Sequence, residues 1–508
     1  MKSFRYSALL SLVATYMLIF IGGLVRVSGA GLGCPDWPKC FGRWIPPTSL
    51  SQLPPEIDPS QFNITLAWIE YGNRLVGVTV GLLIVLTAVL AIRYYRSQPR
   101  ILWPSLATAF LVALQGWLGG VVVTSELHPY LVSAHLILAI ATALLLLHVL
   151  LQSYYVESEA MVSELTYPVS ARNWIVGLGM MTLFQVILGT QVRGRLEDIS
   201  AAYPLASDLE WLSRVGAGMD AHLIVGVLTA LFAFFVAYGL IRLSDKSAVL
   251  VKQAVWLMVA LVALQLVGGI VFISFGLPAI VQLFHLWLAT IFLGVLLVLY
   301  SVVSHARELP ARFQKSVGKV IVAGLVLAAI LTASGFAVIK EAELSRNALP
   351  VLGKLPEFTL TQEDSRNYSL IDMKGQVSLL MFESATSPNS VGMKVAFRDV
   401  YDRYAHSERL ALVTVLKQVD TSPVSLPAYI DSLALTDNRW LVVTGPKDTT
   451  EVLYREVFRL ADRDDIAGTN SFVLIDRMGR IRGFYRYDSD SDRIRLDRDI
   501  VALARIAR

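Results

Sequence analysis

The absence of charged side chains over long stretches constrains this chain more than any other feature. Between Lys252 and Arg307 the sequence holds no Asp, Glu, Lys or Arg. A membrane-spanning helix needs about 20 apolar residues, so this stretch fits two spans that turn near Gly276 and Pro278. Six charge-free apolar runs precede it, which predicts eight spans in all. These runs are Ser7–Val25, Leu75–Ile92, Ile101–Thr124, Leu127–Tyr155, Asn173–Val192 and Ala221–Ile241.

One more apolar run, Val320–Ile339, predicts a ninth span, and the sequence beyond it becomes polar. Of the 508 residues, 55% are hydrophobic and 17% are charged, whereas charged residues make up about one quarter of a soluble globular protein. The first run is longer than a signal-peptide core and no clear cleavage site follows it. We therefore interpret it as a retained span.

The distribution of Lys and Arg over the loops predicts the orientation of the spans. With the N-terminus in the cytoplasm, thirteen of these residues lie on inner segments and five on outer segments up to Asp220, which agrees with the positive-inside rule. Nine spans then place residues 340–508 outside the cytoplasm. We predict a multi-pass protein of the cell membrane, surrounded by lipid, and the modest net charge of +4 indicates no nucleic-acid partner. The inner residues are Lys2, Arg5, Arg93, Arg96, Arg100, Arg172, Arg242, Lys246, Lys252, Arg307, Arg312, Lys315 and Lys319, and the outer residues are Lys39, Arg43, Arg193, Arg195 and Arg214.

The chain has two cysteines, Cys34 and Cys40, and both lie in the first predicted outer loop. Their closeness in the sequence and an oxidising compartment favour a disulfide between them. Two unpaired loop thiols are the alternative.

The chain contains an internal repeat of four consecutive spans. In each copy a Gln precedes a His by 20 residues, and the copies are offset by about 150 residues. Because an even number of spans recurs in the same order, the copies are predicted to be parallel, related by an axis along the membrane normal. The corresponding pairs are Gly22 with Gly189, Arg26 with Arg193, Asn73 with His222, Gln115 with Gln265 and His135 with His285.

The predicted fold is an all-α polytopic membrane protein of two parallel-repeat four-helix bundles, followed by an anchoring span and a soluble α/β domain. We place the N-terminal half at residues 1–155 and the C-terminal half at residues 156–306. The connecting loop and ninth span then occupy residues 307–345, and the extracytoplasmic domain occupies residues 346–508.

The repeated polar side chains are predicted to lie at one depth in the membrane. Asn73, His135, His222 and His285 each fall within about two turns of the outer start of their span. Imidazoles from facing helices can ligate haem iron, so His222 and His285 are predicted to hold one haem. A single intramembrane His would more simply hydrogen-bond a neighbouring helix, but recurrence of the pair favours ligation, and zinc is disfavoured because further ligands are missing. The histidines that we regard as incidental are His128, His148, His305 and His406.

Two arginines, Arg26 and Arg193, end the first and fifth predicted spans at this same outer level. Arg pairs with carboxylates in a bidentate manner, so both are candidates for binding haem propionates. The alternative is that their side chains extend to the membrane interface.

Glu70 lies in the predicted second span, four residues before Arg74. A carboxylate inside a membrane is costly unless it is paired or functional. An ion pair with Arg74 would close the helix end, whereas an acid, base or cation-stabilising group would act on a substrate in the first half. The second copy has Met219 at the matching position, which predicts that one half reacts and the other carries a cofactor.

The segment from Gly23 to Gly42, GLVRVSGAGLGCPDWPKCFG, resembles the first span and cysteine loop of haem A synthases, the CtaA family. The EYGNR stretch that begins at Glu70, the Gln-to-His segments and the duplication agree with this family. The resemblance therefore covers about residues 5–305. It implies two four-helix bundles and the oxidation of haem O to haem A, in which a ring methyl becomes a formyl group through successive hydroxylations.

The resemblance also implies roles for individual residues. The C-terminal half would hold a haem b cofactor, and the N-terminal half would receive haem O, with Glu70 in a catalytic role. Cys34 and Cys40 would form a disulfide that relays electrons or shapes the site. The predicted cofactor-binding residues are His222, His285 and Arg193, the predicted substrate-binding residues are His135, Asn73, Arg74 and Arg26, and the predicted iron ligands are His222, His285 and His135.

The sequence departs from the family pattern at Asn73, because the usual motif of the second span is Glu-x-x-His-Arg. An amide is a poor iron ligand, so the first half keeps His135 as its conventional ligand. Either the substrate haem needs a single axial ligand, or this variant is catalytically impaired. We favour the first interpretation because Glu70, Arg74 and both cysteines are retained. A second departure, Leu223 where an Arg often follows the His, weakens one propionate contact.

Past the ninth span the sequence predicts short strands and helices. The elements are a strand at Val377–Phe382, a helix near Val391–Tyr404, a strand at Leu410–Leu416 and a hairpin of Phe472–Asp476 with Ile481–Tyr485. This order resembles a thioredoxin-like domain, most like the SCO family of copper chaperones for cytochrome oxidase.

The active site of the SCO family, a Cys-x-x-x-Cys and a distant His, is not retained. Ser387 and Val391 stand at the cysteine positions, Gly468 to Asn470 occupy the region of the His, and the domain contains no cysteine. Thiol redox chemistry is therefore impossible in it, and copper(I) binding of that type is disfavoured. We predict a degenerate domain used for docking or scaffolding, with cytochrome oxidase assembly proteins as its partners.

The leading hypothesis is an enzyme, a haem A synthase that takes haem O from a haem O synthase and uses a haem b cofactor. One alternative is a non-catalytic haem-binding factor for oxidase assembly, which Asn73 motivates. Another is a b-type membrane electron carrier linked to quinone. The sequence leaves open whether the chain forms a homo-oligomer.

Overall fold

The computed structural model describes most of the chain. The described residues are 2–55, 57, 62–157, 167–244, 248–305, 330, 332–342, 349–362, 364–384, 390–404, 407, 409–417, 426–433, 439–458 and 471–505. The chain divides into two compact units. One comprises Met1–Glu197 and Asp208–Glu343, and the other comprises Asp198–Ser207 and Leu344–Arg508.

The first unit is helical and carries the membrane spans. Among the described residues, eight helices are long and apolar enough to cross a membrane, which confirms the eight predicted spans of a multi-pass membrane protein. They are α1 (Lys2–Val27), α2 (Ile64–Tyr94), α3 (Pro99–Thr124), α4 (Pro129–Glu157), α5 (Val169–Ala202), α7 (Ala217–Leu243), α8 (Val249–Phe275) and α9 (Ala279–His305), with a short helix, α6 (Asp208–Arg214), before α7 and a 3-10 helix at Leu50–Gln52.

The long charge-free stretch folds as predicted, as two helices joined by a tight turn. Helix α8 ends at Phe275 and α9 begins at Ala279. Gly276 makes this turn with a φ of +85°, a backbone conformation that favours glycine. Of the predicted ninth span, residues 320–329 lie outside the described residues, and residues 332–342 are helical.

Large apolar side chains remain exposed on several spans. Leu82 on α2, Phe110 on α3, Ile224 on α7 and Ile270 on α8 are each more than 60% exposed. A soluble protein rarely leaves so much apolar surface in contact with water. These side chains are therefore suited to contact lipid.

The first four spans close into a four-helix bundle. Helix α1 packs against α2 and α4, and α3 packs against the same two helices. Near the predicted inner end, the hydroxyl oxygens of Ser7 and Ser11 lie 2.8 and 3.0 Å from Thr87 Oγ1. These hydrogen bonds satisfy buried polar atoms that would otherwise be costly inside a membrane.

Helix α9 joins the second group of helices to the first. It packs against α8 on one side and against α1 and α4 on the other. The Trp287 indole N–H donates to the Tyr16 carbonyl over 2.9 Å. A Cβ at Gly294 would lie 2.5 Å from the Tyr16 hydroxyl, so a larger residue there would require the Tyr16 side chain to move.

The second unit contains one mixed sheet. Its strands are β1 (Gly353–Lys354), β2 (Thr359–Thr361), β3 (Asn367–Ser369), β4 (Val377–Ser384), β5 (Leu410–Lys417), β6 (Trp440–Thr444), β7 (Ser471–Ile475) and β8 (Arg480–Arg486). Its helices are α10 (Leu370–Met373), α11 (Ser390–Arg403), α12 (Leu426–Leu433), α13 (Lys447–Phe458) and α14 (Asp490–Arg505). The strand order is β1-β8-β7-β4-β5-β6-β2-β3.

The topology of this sheet is thioredoxin-like. Strand β4 is followed by α11 and by the parallel strand β5, and an antiparallel hairpin of β7 and β8 follows. The predicted strands, the helix and the hairpin are confirmed. The sequence analysis did not predict β6, α13 or α14.

The hairpin turn is held by a single carboxylate. Asp476 Oδ1 accepts hydrogen bonds from the backbone N–H groups of Met478 and Arg480, over 2.9 and 3.0 Å, and Gly479 has a φ of +76°. Burial raises the pKa of Asp476, but hydrogen bonds from Arg482, Arg480 and Met478 outweigh it and hold that pKa below its usual value.

Candidate functional site

A disulfide joins Cys34 and Cys40 in the loop after α1, which confirms the predicted pairing. This loop lies directly on α2. A Cβ at Gly33 would be 2.4 Å from the Leu66 carbonyl oxygen, so only glycine permits this approach. The next backbone N–H, that of Cys34, donates to Glu70 Oε2 over 2.8 Å.

Glu70 and Arg74 form a buried ion pair beneath the cysteine loop. Their side chains are 4% and 8% exposed, and Arg74 Nη2 donates to Glu70 Oε1 over 2.5 Å. Arg74 Nη1 also donates to the carbonyls of Asp36 and Lys39, over 2.9 and 2.7 Å. The pair thus attaches the loop to α2, in agreement with the ion-pair interpretation, and a catalytic role for Glu70 stays a prediction.

Trp37 extends this arrangement towards His135. Its ring lies 5.0 Å from the Arg74 guanidinium carbon, a cation–π contact. On α3, a Cβ at Gly120 would lie 2.5 Å from the indole, and a Cβ at Gly119 would lie 3.6 Å from His135 Cε1. Two neighbouring glycines therefore accommodate the loop tryptophan and the predicted iron ligand. The sequence analysis missed Trp37.

Each predicted iron ligand is positioned by a glutamine on a neighbouring helix. The amide of Gln115 donates to the His135 carbonyl over 2.9 Å, and that of Gln265 donates to the His285 carbonyl over the same distance. Gln185, which the sequence analysis did not single out, donates to the carbonyl of His222 over 2.7 Å. These bonds fix the helix of each histidine against the neighbouring helix that carries the glutamine.

Two glycines leave room for the imidazoles of the second half. A Cβ at Gly189 would lie 3.0 Å from His222 Cε1, and a Cβ at Gly268 would lie 2.9 Å from His285 Nδ1. His285 thus turns Nδ1 towards α8 and leaves Nε2 on the other side of its ring. A larger residue at either glycine would displace an imidazole.

An aromatic side chain of α8 packs against His285. Phe272 contacts the His285 ring edge-on, with centroids 5.3 Å apart. Among the described residues, Nδ1 of His135, His222 and His285 is buried without a hydrogen-bond partner. Because His285 turns its Nδ1 towards α8, an iron from outside the chain would bind this imidazole at Nε2.

This donor set fits haem better than a metal ion bound by side chains alone. No group of three or more His, Cys, Asp or Glu side chains forms among the described residues, whereas haem iron needs only one or two axial ligands. His135, His222 and His285 lie five or six residues after the start of their helices, within the two turns predicted. Asn73 lies nine residues into α2, about half a turn deeper than predicted. The amide oxygen of Asn73 is also buried, with no partner in the described part of the chain.

The two repeat-related arginines meet at one carboxylate. Arg26 donates to both oxygens of Glu197, over 3.1 and 2.9 Å, and Arg193 Nε donates to Glu197 Oε1 over 3.0 Å. Arg193 Nη1 also donates to Gln282. The sequence analysis missed Glu197, although it stands four residues after Arg193 on α5.

Two of the histidines that we regarded as incidental, His128 and His305, contact neighbouring residues. His305 Nδ1 lies 2.8 Å from the Ser301 carbonyl oxygen, and its ring stacks on Tyr155 with centroids 4.1 Å apart. His128 lies beside Tyr130. His406 lies outside the described residues.

A buried carboxylate lies near the end of β4 in the C-terminal domain. Glu383, at the end of β4, is buried and accepts hydrogen bonds from the hydroxyls of Ser390 and Tyr429. Lys394 Nζ lies 3.1 Å from Glu383 Oε1. Burial and the neighbouring Glu383 raise the pKa of Tyr429 above its usual value. Residues 387–389, and the predicted region from Gly468 to Asn470, lie outside the described residues.

Replacing Gln265 with Leu should weaken haem binding in the second half without unfolding the protein. The substitution removes the hydrogen bond to the His285 carbonyl, worth about 1 kcal/mol. We expect a heterogeneous haem b absorbance and faster loss of haem from the purified protein. Gln253→Leu, at an exposed position of the same helix, is the matched control. Equal haem retention in both variants would contradict this role of Gln265.

Solved structures similar to this chain match it over about 30% of its length. One is BsSco, a member of the Sco family of cytochrome c oxidase assembly proteins, at 18% identity, covering 31% of this chain and 97% of that chain with a TM-score of 0.26. Another is a SCO1/SenC family lipoprotein from Bacillus anthracis, at 20% identity, covering 30% of this chain and 97% of that chain with a TM-score of 0.24. The thioredoxin-like topology of the C-terminal domain follows from its strand order.

The proteins of similar sequence are named heme A synthase. Heme A synthase of Geobacillus thermodenitrificans is 31% identical over 124 residues, which are 24% of this chain and 34% of that protein. Heme A synthase of Shewanella oneidensis is 32% identical over 149 residues, 27% of this chain and 43% of that protein. The chain thus spans less than half the length of these relatives.

The family itself is identified by a match over a longer range. The sequence model of COX15-CtaA, described as cytochrome oxidase assembly protein, matches residues 5–297. These residues make up more than half of the chain and reach from α1 into α9. The chain therefore belongs to the COX15-CtaA family of cytochrome oxidase assembly proteins.

Proposed function

We propose that this protein is a haem A synthase, which oxidises a ring methyl of haem O to a formyl group for cytochrome oxidase. One observation carries the proposal. In both halves a glutamine holds the backbone of a histidine, at 2.9 Å in each case, and the imidazole of that histidine has a buried nitrogen without a partner among the described residues. Family membership over residues 5–297 supports the same activity.

The second half is the proposed cofactor site. Haem b bound there would supply electron transfer. His222 and His285 would ligate its iron from α7 and α9, while Gln185 and Gln265 keep the two histidines in position. Phe272, edge-on to His285, would exclude water from this side of the imidazole.

The first half is the proposed substrate site. His135 would bind the iron of haem O, and Asn73, which cannot ligate iron well, would leave the opposite face open for the reaction. Glu70 would act as a carboxylate that accepts a proton or stabilises positive charge. Arg74 and the Cys34 amide orient its two oxygens, and Trp37 would cover the site from the loop.

The C-terminal domain is proposed to act in docking. It has a thioredoxin-like sheet, and the sequence beyond residue 343 contains no cysteine, so thiol exchange is not its task. We propose that it lies outside the cytoplasm and binds other cytochrome oxidase assembly proteins. In the same orientation the N-terminus of the chain would lie in the cytoplasm.

A second candidate function is a non-catalytic factor that binds haem and passes it to oxidase subunits. Asn73 favours it, because the usual histidine of the second span is missing and the Asn73 oxygen is buried with no partner among the described residues. This candidate needs the same haem-binding histidines. It needs no reactive carboxylate at Glu70.

Co-expression with a haem O synthase in a host that lacks haem A separates the two functions. The proposed enzyme should yield extractable haem A, whereas the host with haem O synthase alone should yield haem O. Purified protein that carries haem b while the cells accumulate only haem O would contradict the enzyme and favour the binding factor.

A further inference from the structure

Glu197 occupies a position that the duplication does not repeat. Arg26 and Arg193 are related by an offset of 167 residues, and the same offset relates Glu197 to Ala30. The carboxylate on α5 therefore has no counterpart in the first half. Arg26 nevertheless reaches across 171 residues of sequence to bind it through two hydrogen bonds.

The three charged side chains do not balance. Two guanidinium groups face one carboxylate, and the side chains of Arg26, Arg193 and Glu197 are 21%, 29% and 36% exposed. Among the described residues, the other acceptor at Arg193 is the neutral amide of Gln282. An excess of one positive charge in a partly buried site at the end of a membrane span favours an anionic ligand.

Each guanidinium has one terminal nitrogen that these hydrogen bonds do not involve. Glu197 binds Arg26 through Nε and Nη2, and Glu197 and Gln282 bind Arg193 through Nε and Nη1. Gln282 is itself fixed, because its amide donates to the Leu277 carbonyl over 2.6 Å. The carboxylate thus sets the orientation of both arginines, and Gln282 sets that of Arg193 alone.

We propose that Glu197 is a positioning residue shared by the two haem sites, which orients the propionate-binding arginine of each half with one carboxylate. This inference rests on the proposed function, since it assumes that haem O enters the first half and haem b the second. The ligand recognised at each arginine is a propionate carboxylate of a porphyrin.

Substitution of Glu197 should affect both haem sites, whereas substitution of Gln282 should affect one. Glu197→Gln removes the charge that holds both arginines, so binding of haem b and of haem O should each weaken by about tenfold, the effect of losing a charge-assisted hydrogen bond. Of the two arginines, Arg193 alone loses a hydrogen bond in Gln282→Leu. This substitution should weaken binding of haem b and leave binding of haem O unchanged.

Two titrations of the detergent-purified full-length protein test this. Haem b binding is followed by absorbance and by the rate of haem transfer to apomyoglobin, and haem O binding is followed by difference absorbance in protein already loaded with haem b. Glu197→Asp, which keeps the charge, should restore most of both affinities, and this rescue distinguishes positioning from a general loss of structure. Arg26→Gln should weaken haem O binding less in the Glu197→Gln background than in the wild type, because the two residues act together.

Unchanged affinity for both haems in Glu197→Gln, or an effect on one haem alone, would overturn the inference. Equal losses in Glu197→Gln and Glu197→Asp would also overturn it. Failure of the proposed function would look different, because the wild-type protein itself would then bind neither haem.

Discussion

Replacing His285 with Ala should abolish the low-spin haem b spectrum of the purified protein. The imidazole is a proposed axial ligand, and alanine offers no donor to replace it. Gly268 would then face an empty space where Nδ1 now lies 2.9 Å from its ideal Cβ. His222→Ala should give the same result, because an iron with two axial histidines loses its low-spin state when either one is removed.

His305→Ala is the matched control for this experiment. His305 lies on the same helix, but its ring stacks on Tyr155 and its Nδ1 contacts the Ser301 carbonyl. The control should keep full haem b absorbance at equal protein yield. An unaltered low-spin spectrum in His285→Ala would show that the cofactor is held elsewhere.

Replacing Glu70 with Gln should reduce haem A formation to background while haem b stays bound. Both carboxylate oxygens of Glu70 accept hydrogen bonds, one from the Cys34 amide and one from Arg74. An amide has only one acceptor, so in either orientation its NH2 group would face a donor. Disruption of a buried ion pair costs about 3–5 kcal/mol, and the substituted site also lacks the proposed proton acceptor.

Haem extracts of cells that co-express a haem O synthase provide the measurement, with the haem b content of each purified variant as reference. Glu210→Gln is the control, because Glu210 pairs with Arg214 four residues away at an exposed position. It should form haem A like the wild type. Wild-type turnover in Glu70→Gln would remove Glu70 from the mechanism.

The membrane part of the fold could be predicted from the sequence because it depends on local properties. Charge-free runs long enough to cross a bilayer predict the spans. Gly276 and Pro278 predict the turn between α8 and α9. The repeat could be recognised because Gln115 and Gln265 precede their histidines by the same spacing. What the glutamines bind could not be predicted, since an amide can face several carbonyls of a neighbouring helix.

The remaining parts of the site depend on contacts between residues far apart in the sequence. Glu197 stands beside Arg193, so one of its ion pairs was visible in the sequence, but its pair with Arg26 depends on how the helices pack. Trp37 was noticed only as part of the cysteine loop. Its position against Gly120 follows from the fold of that loop over α2 and α3. In the soluble domain, β6 was missed because the five-residue run from Trp440 to Thr444 resembles many short apolar segments.

The central claim is that histidines at matching positions of two duplicated helix groups hold haem. Pigment analysis of the purified full-length protein tests it most directly, through the reduced-minus-oxidised spectrum and the haem extracted per polypeptide. The account predicts a low-spin b-type spectrum with about one bound haem b per chain. A colourless protein that takes up no haem on titration would contradict it.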